Sequence, residues 1–125
     1  MDFLDLSNQD LTQAELSNLD LSHTDLANSN LYRAGLFKSN LHAANLQRAN
    51  LSYSYAIGLN LSDAKLNNAE LSYANLYQAN LIGADLRQAN LHGVNLRGVD
   101  FGDTEAFLLS QANFNGALYD AKTNF

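Results

Sequence analysis

The sequence predicts an all-β fold, a solenoid in which short parallel β segments coil around one apolar core. Leucine occupies every fifth position from Leu6 to Leu96, with Ala56 as the one exception, and Phe101 continues the series. On an α-helix each residue turns by about 100°, so a spacing of five scatters the leucines around the cylinder. On a flat strand they would alternate between the two faces. A chain that turns after every five residues directs each leucine to the same axis, and successive turns must stack to bury it.

A second regular feature is the small residue that stands two positions before most of the leucines. Ten alanines share this position: Ala14, Ala34, Ala44, Ala49, Ala64, Ala69, Ala74, Ala79, Ala84 and Ala89. Alternating small and large inward groups is what a thin, closely packed core requires. Where the small position grows to Leu59, the preceding central residue shrinks to Ala56, which we interpret as volume compensation within one layer.

Composition places the chain in a simple class. Its 125 residues suit one domain, and it contains no Cys, Pro or Trp. Without Cys it forms no disulfide and no Cys-based zinc site, which agrees with a reducing compartment. No basic segment followed by an apolar one opens the chain, and no apolar run approaches the roughly 18 residues of a membrane span. We expect a cytoplasmic protein without a membrane segment or a cofactor.

The five-residue unit resembles the repeat of the pentapeptide-repeat proteins. It is seen as ANLYQ, ADLRQ and ANLHG, and the resemblance covers residues 4 to about 119. It implies a right-handed quadrilateral parallel β-helix, with four pentads per coil and residue n beside residue n+20. The expected organisation is a single domain over 1–125. It comprises regular repeats over 4–103, a break of phase at 102–106, and the last repeats with a C-terminal cap over 107–125.

The phase break is visible because Phe101 is followed by Leu109, Phe114 and Tyr119 as the next central residues. Three extra residues therefore lie between Gly102 and Ala106, where we expect a loop or a single helical turn started by Asp103. The ending GALYDAKTNF resembles the final segment of many family members. A cap is needed there because an open end exposes apolar core and unpaired backbone.

Side chains suited to catalysis or metal binding are scattered. His23 and His42 would lie in adjacent coils, with Asp63 in the column of His23, but nothing supplies a fourth ligand or an outer shell of partners. No nucleotide-binding, phosphate-binding, metalloprotease or nucleophile-elbow motif occurs. We predict no catalytic residues, no metal site, no cofactor and no enzymatic activity.

Charge is distributed unevenly along the chain. The segment 1–25 holds six acids and no base, at Asp2, Asp5, Asp10, Glu15, Asp20 and Asp25. The rest of the chain holds seven acids and seven bases, so the net charge of −6 belongs to the first coils. The stacking implied by the resemblance places Asp5 beside Asp25, and such like charges repel. They would keep the amino-terminal edge from stacking on another rod, so we favour a monomer.

Nucleic acid is an unfavourable partner because seven scattered bases form no basic stripe. The alternative function is one that the resemblance suggests, since some acidic family members mimic DNA and bind a topoisomerase such as gyrase. B-DNA carries one charge per about 1.7 Å, so a rod about 25–30 Å long would need roughly fifteen carboxylates along its length. Here six acids crowd one end, which makes this alternative the weaker one.

The remaining candidates for a functional surface are columns of outward-facing side chains on successive coils. Asn40, Asn60 and Asn80 would form an amide ladder, and Lys65 would pair with Asp85. On the third face, two adjacent columns are apolar or aromatic and could form one protein-binding patch, or could merely cover the neighbouring backbone. The residues of this patch are Tyr32, Phe37, Tyr53, Tyr55, Ile57, Tyr73 and Tyr77. The sequence thus favours a non-enzymatic interaction scaffold for an unknown protein partner.

A charge introduced at an inward position tests the assigned register. Leu76→Asp should destabilise the protein by roughly 3 kcal/mol or more, since it buries a carboxylate that has no partner. Gln78→Asp, two residues away and facing outward, should change stability by no more than about 0.5 kcal/mol. Urea unfolding of both variants is the measurement, and equal losses would contradict the register.

Overall fold

Parallel backbone pairing between positions n and n+20 organises the chain. The structure is a computed structural model that describes residues 3–124, without the side chains of residues 106 and 107. Residues that precede an inward leucine pair with their equivalents on the next coil, from Asp5 with Asp25 to Asn80 with Asp100. Each coil holds four five-residue units, so we number the coils 1 to 5 as 4–23, 24–43, 44–63, 64–83 and 84–103. Equivalent units of successive coils form faces 1 to 4, in chain order.

Each pairing is an isolated bridge, because a turn follows after every inward residue. Within the described residues no longer strand forms, and the helical content is one 3-10 helix, Ala106–Leu109. Hydrogen bonds between coils run along the axis, as when Leu26 N donates to Asn45 O at 2.7 Å and Asn45 N donates to Thr24 O at 3.0 Å. No described helix is long and apolar enough to cross a bilayer.

The turns depend on a left-handed backbone conformation once in nearly every unit. Ala14 N donates to Leu11 O at 3.0 Å and closes a turn whose third residue, Gln13, has φ 59°. The same sign of φ occurs at bulky residues such as Tyr53 and Tyr73. This conformation costs a non-glycine residue roughly 1–2 kcal/mol. The hydrogen bonds and the buried leucine on either side hold the turn in place.

The core contains the inward residues that the sequence predicts. Leu26 and the later leucines of the series are fully buried, and the alanines of the small position are buried from coil 2 onward. Ala56 and Leu59 are both fully buried, as expected if the larger one occupies space that the smaller one leaves. Leu6, Leu11 and Leu16 are only partly buried, since coil 1 has a neighbouring coil on one side.

Most inward leucines follow an Asn or Asp, whose side chain accepts a hydrogen bond from the backbone N–H two residues later. Asn30 Oδ1 accepts from Tyr32 N at 3.0 Å, and the same Asx turn recurs on every face. Other examples are Asp5, Asp10, Asp20, Asp25, Asn40, Asn50, Asn60, Asn80, Asn90 and Asn95. The side chain thus stabilises the turn, which explains the preference for Asn and Asp at this position.

Two predicted surface columns differ in outcome. The amide ladder forms in part: Asn60 Nδ2 donates to Asn40 Oδ1 at 3.1 Å, and Asn40 Nδ2 donates to Asp20 Oδ1 at 3.2 Å. Asn80, the third predicted member, joins the column through its backbone bridge to Asn60. The predicted Lys65–Asp85 ion pair is wrong. Asp85 Oδ2 instead lies 2.6 Å from Arg87 Nη2 on its own turn, and the hydrogen bonds from Arg87 lower the pKa of Asp85. A neighbour two residues away is easier to reach than one on the next coil.

After coil 5 the pairing interval lengthens. Asn90 pairs with Asn113, 23 positions later, and Asp100 pairs with Asn124, 24 positions later. The helical turn begins at Ala106 rather than at Asp103.

Of the predicted central residues that follow, Leu109 and Phe114 pack against the core, whereas Tyr119 is 66% exposed. Asp2 of the acidic segment and Phe125 of the predicted cap lie outside the described residues.

Ser54 offers a test of core packing. It is buried on face 3, and its hydroxyl has no hydrogen-bond partner among the described residues. Ser54→Ala should therefore stabilise the protein by about 1 kcal/mol, because an unpaired buried hydroxyl is costly. Ser29, whose buried hydroxyl donates to Leu26 O at 2.6 Å, is the matched control, and Ser29→Ala should not stabilise. Urea unfolding decides, and equal effects would contradict the explanation.

Acid sensitivity should follow from the Asx turns of coil 1. Hydrogen bonds from Ser7 and Thr12 lower the pKa of Asp5 and Asp10, and those from Ser22 lower the pKa of Asp20. A lowered pKa in the folded state adds stability above about pH 4, and this is lost as the pH falls through the folded-state value. Asp5→Asn, Asp10→Asn and Asp20→Asn together keep the acceptors and should weaken this dependence. Unfolding at pH 7 and pH 3 tests it, and an unchanged pH dependence would contradict it.

Candidate functional site

The largest group of exposed rings covers face 3 and the turns on both sides of it. We call this surface, residues 32–38, 52–58, 72–78 and 92–98 of coils 2 to 5, the aromatic face. Five of its predicted residues are exposed: Phe37 (40%), Tyr53 (43%), Tyr55 (60%), Tyr73 (49%) and Tyr77 (38%). The other two, Tyr32 and Ile57, are half-buried. All seven predicted residues therefore lie on one side of the rod.

One edge of the aromatic face is a continuous column of rings. Tyr53 stacks on Tyr73 with ring centroids 5.2 Å apart, and Tyr32 contacts Tyr53 edge-on at 5.7 Å. The column continues to His92, whose ring lies 5.3 Å from that of Tyr73 and whose Nε2 is 3.1 Å from Tyr73 Oη. The contacts restrict the rings, so their exposed surface is held in place before any partner arrives.

The centre of the aromatic face is Tyr55. It pairs through its backbone with Gly35 on one side and Asn75 on the other. Gly35 has no side chain, and the carboxylate of Glu15 lies over it, 2.8 Å from the point where a Cβ would be. Tyr55 is thus flanked by a glycine and an amide, and its ring is the most exposed of the group.

Cations border the rings. The guanidinium of Arg33 lies 5.5 Å from the ring of Tyr32 and 5.9 Å from that of Tyr53. Lys38 Nζ lies 5.3 Å from the ring of Phe37. Sequence reasoning missed these cation–π contacts and the part played by His92. The available signals were that Arg33 and Lys38 directly follow an aromatic residue, and that His92 stands on the next coil, one position short of the column of Tyr73.

The histidines considered for a metal site lie on the turns between faces 4 and 1. His23 stacks on Phe3 at 4.8 Å and meets His42 edge-on at 5.5 Å, and His42 Nδ1 is 2.8 Å from Ser62 Oγ. Over residues 3–124, no group of three or more His, Cys, Asp and Glu is arranged to hold a metal ion. The observed partners of these rings are aromatic or hydroxyl groups.

The acids of coil 1 are arranged around the axis of the rod and not in a row along it. Asp5, Asp10, Glu15 and Asp20 occupy the outward position of faces 1, 2, 3 and 4 in turn. Further along faces 2, 3 and 4, most of the equivalent positions are neutral: Asp10 pairs with Asn30, and Asp20 pairs with Asn40. Face 1 also carries Asp25 and Asp85, with Asn45 and Lys65 between them. The carboxylates of coil 1 therefore form a ring at one end, and no face carries an unbroken stripe of acids along the rod.

Comparison with known proteins identifies the class. A family model of pentapeptide repeats, which describes eight copies of the repeat, matches four segments of the chain that together span residues 5–103. These segments are 5–42, 14–52, 44–81 and 66–103. The chain therefore belongs to the pentapeptide-repeat family. A search of curated proteins gives no match.

Two solved structures are similar to this chain. A pentapeptide repeat protein from the thylakoid lumen of Arabidopsis thaliana is 27% identical, with a TM-score of 0.65, over 76% of this chain and 70% of that one. QnrB1, a plasmid-mediated fluoroquinolone resistance protein, is 20% identical, with a TM-score of 0.55, over 90% of this chain and 65% of that one. The likeness to QnrB1 is one of fold alone.

Proposed function

We propose that the protein is a non-enzymatic scaffold that binds a protein partner through the aromatic face. The observation that carries this proposal is the cluster of five exposed rings on one side of the rod. Contiguous exposed apolar surface of this kind marks interaction sites, and tyrosine is enriched among the residues that dominate binding energy. Our proposal includes the right-handed sense of the coil, a monomeric state and a cytoplasmic location.

A purely structural role for the rings accounts for part of the cluster. Tyr32 and Ile57 are half-buried, and the ring of Tyr73 lies over Gly93, 2.6 Å from the point where a Cβ would be. It does not account for Tyr55, which is 60% exposed in a position that holds Asn in much of the molecule. An asparagine there would supply the Asx acceptor that the tyrosine lacks. The chain thus gives up a turn hydrogen bond for an exposed ring, which favours a binding role.

DNA mimicry is the second function considered, and the arrangement of acids disfavours it. A mimic needs carboxylates spaced along the rod like phosphates, at one per about 1.7 Å of axis. The acids of coil 1 form a ring instead, and Asp85 is neutralised by Arg87. We therefore do not propose that the chain binds gyrase.

The experiment that tests the proposal captures the partner from the native cell and measures its affinity for two variants that each lack one exposed ring. Tyr55→Ala should weaken binding about tenfold or more, as expected for a central anchoring residue. Phe3→Ala removes a ring of similar exposure, 55% exposed, which stacks on His23 away from the aromatic face and should leave affinity unchanged. Thermal melting confirms that both variants fold.

A photo-crosslinking residue provides an independent readout of the same surface. Placed at Tyr55, it should join the partner, whereas placed at Lys65, exposed on face 1, it should not. Equal crosslinking at both positions, or equal losses of affinity in Tyr55→Ala and Phe3→Ala, would show that the aromatic face is ordinary surface.

A further inference from the structure

We propose that the partner of the aromatic face is an acidic, extended protein segment that carries apolar side chains between its carboxylates. This inference rests on the proposed function and specifies the chemistry of the partner. It comes from the charges that border the rings, which are opposite in sign to the charge of the molecule.

The aromatic face holds three of the seven bases and none of the thirteen acids. Its bases are Arg33, Lys38 and Arg97, while the whole chain carries a net charge of −6. The nearest acids stand at its edges. Glu15 on coil 1 reaches over Gly35, and Glu70 accepts from Ser72 N at 3.0 Å. Beyond the last coil, Asp120 accepts from Gly98 N at 3.1 Å. A cationic surface on an otherwise anionic protein attracts and orients anionic partners.

The cations are placed to receive carboxylates. Arg33, Lys38 and Arg97 are all exposed, and the ion pair found within residues 3–124 joins Arg87 to Asp85 elsewhere. Arg33 rests against two tyrosine rings, which fixes the guanidinium at the border of the ring column. A planar guanidinium held in this way can bind a carboxylate with two hydrogen bonds.

The spacing of the cations suits an extended chain. Arg33 and Lys38 are on coil 2 and Arg97 is on coil 5, three coils away. At about 4.8 Å per coil this separation along the axis is roughly 14 Å, which an extended segment of about four or five residues spans. The exposed tyrosines fill the interval and offer contacts to apolar side chains between two acidic ends: Tyr53, Tyr55, Tyr73 and Tyr77.

Single-stranded nucleic acid is the competing ligand, since it also combines anionic groups with rings that stack. The stacked rings of Tyr53 and Tyr73 already face one another at 5.2 Å, which leaves no gap for a base between them. Phosphate neutralisation along the strand would need more than three cations, and the remainder of the chain is acidic. The charges therefore favour a protein segment.

The test measures binding of three synthetic peptides of roughly eight residues, alternating Phe with Glu, Gln or Lys, by fluorescence anisotropy. The Glu peptide should bind at least about fivefold more tightly than the Gln peptide at low salt, and the Lys peptide should not bind. Raising the salt concentration should reduce this difference by screening. An oligodeoxythymidine of similar length is the nucleic-acid probe and should bind more weakly than the Glu peptide.

Charge variants locate the site. Arg33→Gln together with Lys38→Gln should weaken binding of the Glu peptide by about five- to twentyfold. Arg48→Gln is the matched control, since Arg48 is exposed on the turn between faces 1 and 2 and donates to Asn28 Oδ1 at 3.1 Å. It should have no more than a small effect. Glu15→Gln should act in the opposite direction and strengthen binding of the Glu peptide about twofold, because it removes a negative charge at the end of the face.

Each contrary result overturns the inference. Equal binding of the Glu and Gln peptides would show an aromatic face indifferent to charge, and tighter binding of the oligonucleotide would indicate a nucleic-acid site. Failure of all three peptides to bind, or equal losses for the double variant Arg33→Gln, Lys38→Gln and for Arg48→Gln, would remove the acidic segment as the partner. None of these peptide results affects whether Tyr55→Ala weakens binding of the captured partner, so the proposed function is tested separately.

Discussion

Backbone hydrogen bonds between coils are the interaction on which the rest of this structure depends. A unit of five residues closes only one turn bond of its own, such as Ala14 N to Leu11 O, and its extended part pairs only with the coils before and after it. Because coils 1 to 5 have the same length, the pairing interval stays constant and the inward leucines coincide along one axis. Burial of the leucines and satisfaction of the backbone are thus achieved by the same repeat.

Sequence reasoning recovers the parts of this arrangement that depend on spacing. A leucine at every fifth residue and an alanine two positions earlier specify the inward residues, which the burial of Leu26, Ala34 and their equivalents confirms. The end of the rod is harder to predict, because burial there depends on having a neighbouring coil. Tyr119 keeps the register of a central residue and is nevertheless mostly exposed. The spacing predicts whether a side chain points inward, but it does not predict whether a neighbouring coil covers that side chain.

Side-chain geometry explains the remaining differences. Asp85 pairs with Arg87 on its own turn instead of with Lys65 on the preceding coil, because a partner two residues away needs no alignment between coils. Tyr73 reaches His92, which stands one position short of its own column, because the two rings lean towards each other from adjacent turn positions. The five-residue repeat does not indicate which rotamer each of these side chains adopts. These rotamers nevertheless decide the ring column and the placement of Arg33, on which the proposed binding surface depends.

The equal length of the coils restricts how the gene for such a protein can change. Loss or gain of one five-residue unit would keep the leucines pointing inward, yet it would move every later residue to the neighbouring face. If that unit lay between Tyr53 and Tyr73, the two rings would be on different faces of the rod, although each would still occupy a regular turn. Only insertions and deletions of a whole coil preserve both the core and the columns, unless the extra residues loop out at a turn, as three do between Asn90 and Asn113. The core therefore tolerates changes of length in steps of one unit, whereas the surface columns tolerate them only in steps of one coil.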